Sequence, residues 1–291
     1  MNDVHRGHIS LEPMGWEQKL GFKAGRFTAV NLVLTSTLGG VFALLFYAGV
    51  WVVHRTFPML NPLSEAFLRA QNLWTVIPMV TLFFWSVAFL FLKTMKLRLQ
   101  KKAMAWAVVP AHPEFVLTEE TARAVLERIQ GLVDFPGQFL LLNRIERGLS
   151  NLHHLGQVSE VSSVLRGQAE DDENALINSY TLIQGFVWAM PVLGFIGTAQ
   201  GLAFAIGGFS GVLQGQDASL DTIKQSLLQV TGGLATAFGT TLVALVFALI
   251  IQIWVAFRQK SELQFLDECN DYCQSHVISK LRLISGGRSV S

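Results

Sequence analysis

The run from Leu182 to Phe209, LIQGFVWAMPVLGFIGTAQGLAFAIGGF, contains no Asp, Glu, Lys, Arg or His. A helix needs about 20 apolar residues to cross a bilayer core, so this run is long enough to span one. Three further runs share the property: Ala29 to Val53, Leu73 to Leu92, and Leu227 to Phe257. The whole chain has the same bias, with 51% hydrophobic and 15% charged residues among 291, against about 25% charged in soluble domains. Lipid is therefore the expected solvent. The first run starts too far from Met1, and is too long, for a secretory signal, and reads as a retained helix.

Orientation follows from the basic residues, which are retained on cytoplasmic flanks. The N-terminal arm holds 4 Lys and Arg, the loop between the second and third runs 10, and the C-terminal tail 5, leaving Arg55, Arg69 and Lys224 for the other loops. Both termini and the large middle loop are thus expected in the cytoplasm. Lys93, Lys96, Arg98, Lys101 and Lys102 follow the second span directly and read as a stop against the membrane surface.

The expected fold is an all-α integral membrane protein with four transmembrane helices, the last two extended into a cytoplasmic helical domain. Its parts are an N-terminal arm (1–28), a first hairpin (29–92, loop 54–72), a cytoplasmic domain (93–181), a second hairpin (182–257, loop 210–226) and a C-terminal helix and tail (258–291). Pro58 and Pro62 punctuate the first loop, with one or two helical turns over Leu63 to Gln71. A helix should begin after Thr118, whose side chain can cap it, with Glu119 and Glu120 favoured in the first turn. Val125, Ile129 and Leu132 supply its apolar face, and Pro136-Gly137 ends it. Leu141, Ile145, Leu149, Leu152, Leu155, Val158, Val161 and Leu165 then recur at helical spacing toward the third span. On that segment the acidic run Glu170 to Glu173 reads as a solvated face.

Chemistry-bearing motifs are sparse. No Walker A loop, G-x-S-x-G, H-E-x-x-H or C-x-x-C is present, so no enzymatic signature is seen and no cofactor is expected. Cys269, Cys273 and His276 could share one helical face, but C-x3-C-x2-H matches no common zinc pattern, and helix packing is the better reading.

The third span lines up small residues, Gly194, Gly197, Gly201, Ala205 and Gly208, at helical spacing, which lets another helix approach closely in lipid. Thr198 flanks the strip. The fourth span opens with a small, polar half, GGLATAFGTT from Gly232 to Thr241. Thr236 and Thr240 share one face there, with Thr241 turned by about 100°. Such hydroxyls can line a hydrated path or receive a polar side chain from another subunit. Because all 21 acidic residues and all seven histidines fall outside the spans, an ion carrier would have to be imported. A glycine face and a threonine face that both need covering suggest a ring of copies, with the first two spans at its rim. Phe84, on the second span, reads as a lipid-facing position where Leu would be nearly silent.

Pro191-Val-Leu-Gly-Phe-Ile-Gly-Thr-Ala-Gln-Gly-Leu202 resembles the P-x-L-G-x-x-G-T-x-x-G motif of the MotA/TolQ/ExbB family, and Gly233 to Leu242 is similar to its following membrane helix. The resemblance covers about Arg144 to Tyr272, and the first two spans match in topology alone. Four spans are MotA-like, whereas the Gly197-Thr198 motif is nearer TolQ and ExbB. The family implies a pentameric channel around a dimer of a single-span partner of the MotB/TolR/ExbD kind, whose membrane aspartate binds H+ or Na+. On that resemblance Thr198 and Thr241 match the channel threonines facing the aspartate. Thr236 stands where TolQ and ExbB carry a glutamate, which puts the need for that acid in doubt. The alternatives are a non-conducting helical scaffold or an independent transporter, the latter disfavoured because no inverted repeat is visible.

Overall fold

The computed structural model describes residues 25, 27–57, 64, 67–69, 73–105, 108–110, 112, 114–133, 136–150, 158–213 and 220–282. The expectations for the N-terminal arm before Gly25, the punctuating prolines Pro58 and Pro62, Leu152 and Leu155 lie outside them. The described residues form α1 (Leu32–Thr56), α2 (Leu73–Met104), α3 (Glu119–Leu132), α4 (Leu140–Ser150), α5 (Val158–Leu213) and α6 (Leu220–Tyr272). A π-helical turn, Cys273–Ile278, follows α6. Their one β feature is an isolated bridge between Leu117 and Leu281. Four helices, α1, α2, α5 and α6, contain stretches long and apolar enough to cross a membrane, so the protein is an all-α, multi-pass membrane protein.

The chain divides into two compact units, one of residues 32–90 and 181–256, the other of residues 1–31, 91–180 and 257–291. In the first unit, α1 packs on α2 through Gly39, where an added Cβ would lie 2.5 Å from the Trp85 Cα. Trp85 Nε1 donates to Thr35 Oγ1 at 3.0 Å beside it. The adjacent Gly40 faces open space. Phe83 of α2 stacks on Phe247 of α6 at 4.1 Å, and Trp85 meets Phe186 of α5 at 4.8 Å. Half of the most apolar window of α2 is consequently buried, against 11, 28 and 29% for the other three. The second span is the most enclosed within one chain. Phe84 sits 5.4 Å from Phe46 and 5.3 Å from Phe83, so it is packed on one side and not wholly lipid-facing.

In the second unit, Thr118 caps α3 as expected, and Thr121 returns the bond by accepting from the Thr118 N–H at 2.7 Å. Val125 and Ile129 of α3 are buried, as are Leu141, Ile145 and Leu149 of α4 and Val161 and Leu165 of α5. The basic run after the second span is not wholly a surface stop. Lys93 pairs with Glu262 at 2.8 Å with both side chains buried, and Lys96 donates to the Ala29 carbonyl at 2.7 Å. Lys93 also lies 4.1 Å from the centre of the Tyr180 ring. Burial pulls the Lys93 amine down and pushes the Glu262 carboxyl up, each opposed by the attraction of its partner. The acidic run is also divided, because Asp172 accepts from Arg144 Nε at 2.8 Å with Arg144 almost fully buried, whereas Glu170 and its partner Arg166 stay exposed.

Cys269 and Cys273 are buried, and burial pushes their thiols up to about 12 and about 11. His276 stacks on Tyr272 at 4.4 Å, and among the described residues no cluster of three His, Cys, Asp or Glu could hold a metal. With both thiols protonated at pH 8 and shielded, neither should react with maleimide in the folded protein, and both should react after denaturation. Rapid native-state labelling, read by mass spectrometry, would contradict the burial.

Candidate functional site

The site lies where α5 and α6 approach each other in the first unit. An added Cβ at Gly194 would lie 2.6 Å from the Ala244 Cβ, and one at Gly201 would lie 2.7 Å from the Ala237 Cβ. Farther along, Gly233 of α6 faces Ala205 of α5, and Ala205 is buried. The small-residue strip is thus filled by α6 of the same chain, which corrects the expectation that it needs a neighbouring copy. The side-chain surroundings of Gly208 lie outside the description. Sequence spacing could identify the strip but not its occupant.

Close approach places the two helices' backbones within reach of threonine hydroxyls. Thr198 Oγ1 has Gly194 O and Ala237 O both at 3.1 Å and also contacts Thr241 Oγ1. Thr241 Oγ1 donates across the interface to Gly194 O at 2.9 Å. Thr198 has a single proton and three acceptors in range, so its hydroxyl can be re-aimed without breaking the helix contact. Both residues are half-buried. They come from separate motifs 43 positions apart and meet at one depth of the unit.

Thr240 does not join this pair. It is buried, donates to Ala237 O at 2.9 Å, and borders Gly197 opposite Thr75, whose Oγ1 would lie 3.2 Å from a Cβ added there. The side chain of Thr236 lies outside the description. The described hydroxyl pairing is interhelical, Thr198 with Thr241. Thr75, on α2, was missed because nothing in its local sequence marks it. Pro191 sits within α5, one turn before Gly194 and Phe195, a position membrane helices tolerate.

Residues 141–267 match the MotA/TolQ/ExbB proton channel family. The matched segment is similar to a channel domain of that family. It takes in almost all of α4, all of α5 and most of α6, including Thr198, Thr241 and the glycine strip, while α1 and α2 lie outside it. The family comprises channel proteins and not enzymes. No curated protein and no solved structure matches the chain.

Within this domain Gly201→Leu should cost about 1–3 kcal/mol of stability by overpacking, because even its Cβ overlaps Ala237. Gly185→Leu on the same helix, where a Cβ meets nothing within 4 Å, should be tolerated. Thermal unfolding in detergent, followed by circular dichroism, would compare them. Equal melting temperatures would contradict the close approach.

Proposed function

We propose that the protein is the channel subunit of an ion-driven stator in the bacterial inner membrane. Five copies would enclose a dimer of a single-span MotB/TolR/ExbD-like partner, with both termini in the cytoplasm. The observation that carries this reading is the Thr198–Thr241 hydroxyl pair inside a proton channel domain whose spans hold no ionisable residue. A buried carboxylate is costly unless it is hydrogen-bonded, and two hydroxyls at one depth can offer that bond. The partner's aspartate would take up H+ or Na+, lose charge, turn past one subunit, and re-form the bond at the next.

The apolar faces left open on α5 and α6 support assembly. Trp188, Phe195 and Phe204 on α5 are exposed in the single chain, as are Phe238, Leu242 and Leu249 on α6. These helices have only 28 and 29% of their most apolar windows buried, leaving surface for neighbouring copies and for a central helix. Native mass spectrometry of the detergent-solubilised protein should give a pentamer, and affinity purification from the native membrane should bring down a single-span protein with an aspartate near the start of its span. A stable monomer or dimer would overturn the ring. After reconstitution, the chain alone should leak little, and flux equal to that of the full complex would overturn the imported-carrier mechanism.

A further inference from the structure

Lys93, Tyr180, Arg258 and Glu262 gather just outside the charge-free runs of α2, α5 and α6, all within the second unit, and the proposed mechanism uses none of them. Lys93, Tyr180 and Glu262 are fully buried. The Glu262 carboxylate gives one oxygen, Oε2, to Lys93 Nζ at 2.8 Å. Its other oxygen, Oε1, is buried and accepts no hydrogen bond among the described residues. Arg258 lies four residues earlier on α6, and its Nε is likewise buried without an acceptor there. A donor and an acceptor thus stand orphaned about one helical turn apart, which is rare for buried polar atoms. Side chains at this spacing are neighbours on a helix face. The Arg258 charge already acts on both members of the Lys93–Glu262 pair.

We propose that Glu262 is a two-position switch, tied across helices to Lys93 in the observed state and to Arg258 on its own helix in a second state. Breaking a buried ion pair is costly because it strands a charge, and this exchange strands none. Glu262 passes from one cation to another. The Lys93 ammonium keeps the Tyr180 ring, whose centre is 4.1 Å away and whose face attracts a cation. Arg258 gains the acceptor that its Nε lacks. A cation four residues before an acid is the weaker order on a helix, in keeping with Lys93 holding the carboxylate in the observed state. In that state the pair bolts α2 to α6. In the second the bolt is open, Lys93 stays on Tyr180 of α5, and α6, the helix that carries Thr241, is released from α2 at this level. The switch needs neither a partner nor a ring, so it stands apart from the proposed function.

A double-variant cycle on the unfolding constant of the full chain in detergent tests the exchange. Arg258→Gln should change the constant by no more than about twofold, as for a side chain whose partner is absent in the observed state. Lys93→Met should weaken it by about five- to tenfold, an ordinary substitution, because Arg258 takes over the carboxylate. The double variant Lys93→Met/Arg258→Gln leaves Glu262 with neither cation, a loss of about a hundredfold or more, so it should exceed the product of the single effects by about tenfold. A double effect equal to that product would overturn the switch, and this is the result expected if Glu262 simply took up a proton once Lys93 was gone. A Lys93→Met protein that does not fold would overturn it as well, because Arg258 would have failed to replace the lysine. Native hydrogen exchange tests the second state with the observed pair intact. Amides of α2 and α6 around Lys93 and Glu262 should exchange several-fold more slowly in Arg258→Gln than in wild type, and unchanged or faster exchange would overturn the switch.

Discussion

Replacing Glu262 with Leu is expected to cost about 3–5 kcal/mol of folding stability, the usual result of stranding one member of a buried ion pair. Lys93 would be left with its ammonium inside the protein, 0% exposed, facing Tyr180 but without its carboxylate. The double variant Lys93→Met/Glu262→Leu should recover most of the loss, since an apolar pair of similar size needs no solvation. Denaturant titration in detergent would measure all three proteins. If the single and double variants were equally stable, the pair would not be the buried charge interaction its geometry indicates. Lys93 follows the second span and Glu262 lies just past the fourth, so the pair ties together the extensions of two helices far apart in sequence.

Thr241→Val should strongly reduce gradient-driven function while leaving the ring assembled. Valine keeps the shape of threonine but cannot donate a hydrogen bond. Within one chain the substitution removes the bond to Gly194 O, and an interhelical bond of this kind is worth only about 0.6 kcal/mol on average in a membrane protein. An unsatisfied carboxylate on the partner costs more, about 1–3 kcal/mol, which amounts to about five- to 150-fold in rate. Thr241→Ser, which retains the hydroxyl, should restore much of the flux. Proton or sodium flux in vesicles containing the full complex would measure the effect, and native mass spectrometry would confirm the ring. Undiminished flux through the Val variant would remove Thr241 from the ion path.

Several features were legible before any packing was known. Hydropathy is a property of each residue alone, so four charge-free runs were enough to specify four membrane helices. A cap acts within one turn, so Thr118 marked the start of α3. The glycine strip and the threonines fell in motifs whose spacing resembles a known family, and residues 141–267 match that family.

Contacts between distant segments depended on the tertiary structure. Gly39 and Gly40 are indistinguishable in sequence, yet only Gly39 lies against the backbone of Trp85. Lys93 and Lys96 look like members of one surface cluster, but folding brings Glu262 and the Ala29 carbonyl to them. Thr198 and Thr241 stand in separate motifs, and the approach of α5 to α6 brings their hydroxyls together. The sequence by itself determined which segments enter the membrane, because transfer into lipid sums over single residues. Which side chains meet there was decided by the tertiary structure, because a contact depends on the position of two helices and on the space that a missing Cβ leaves between them.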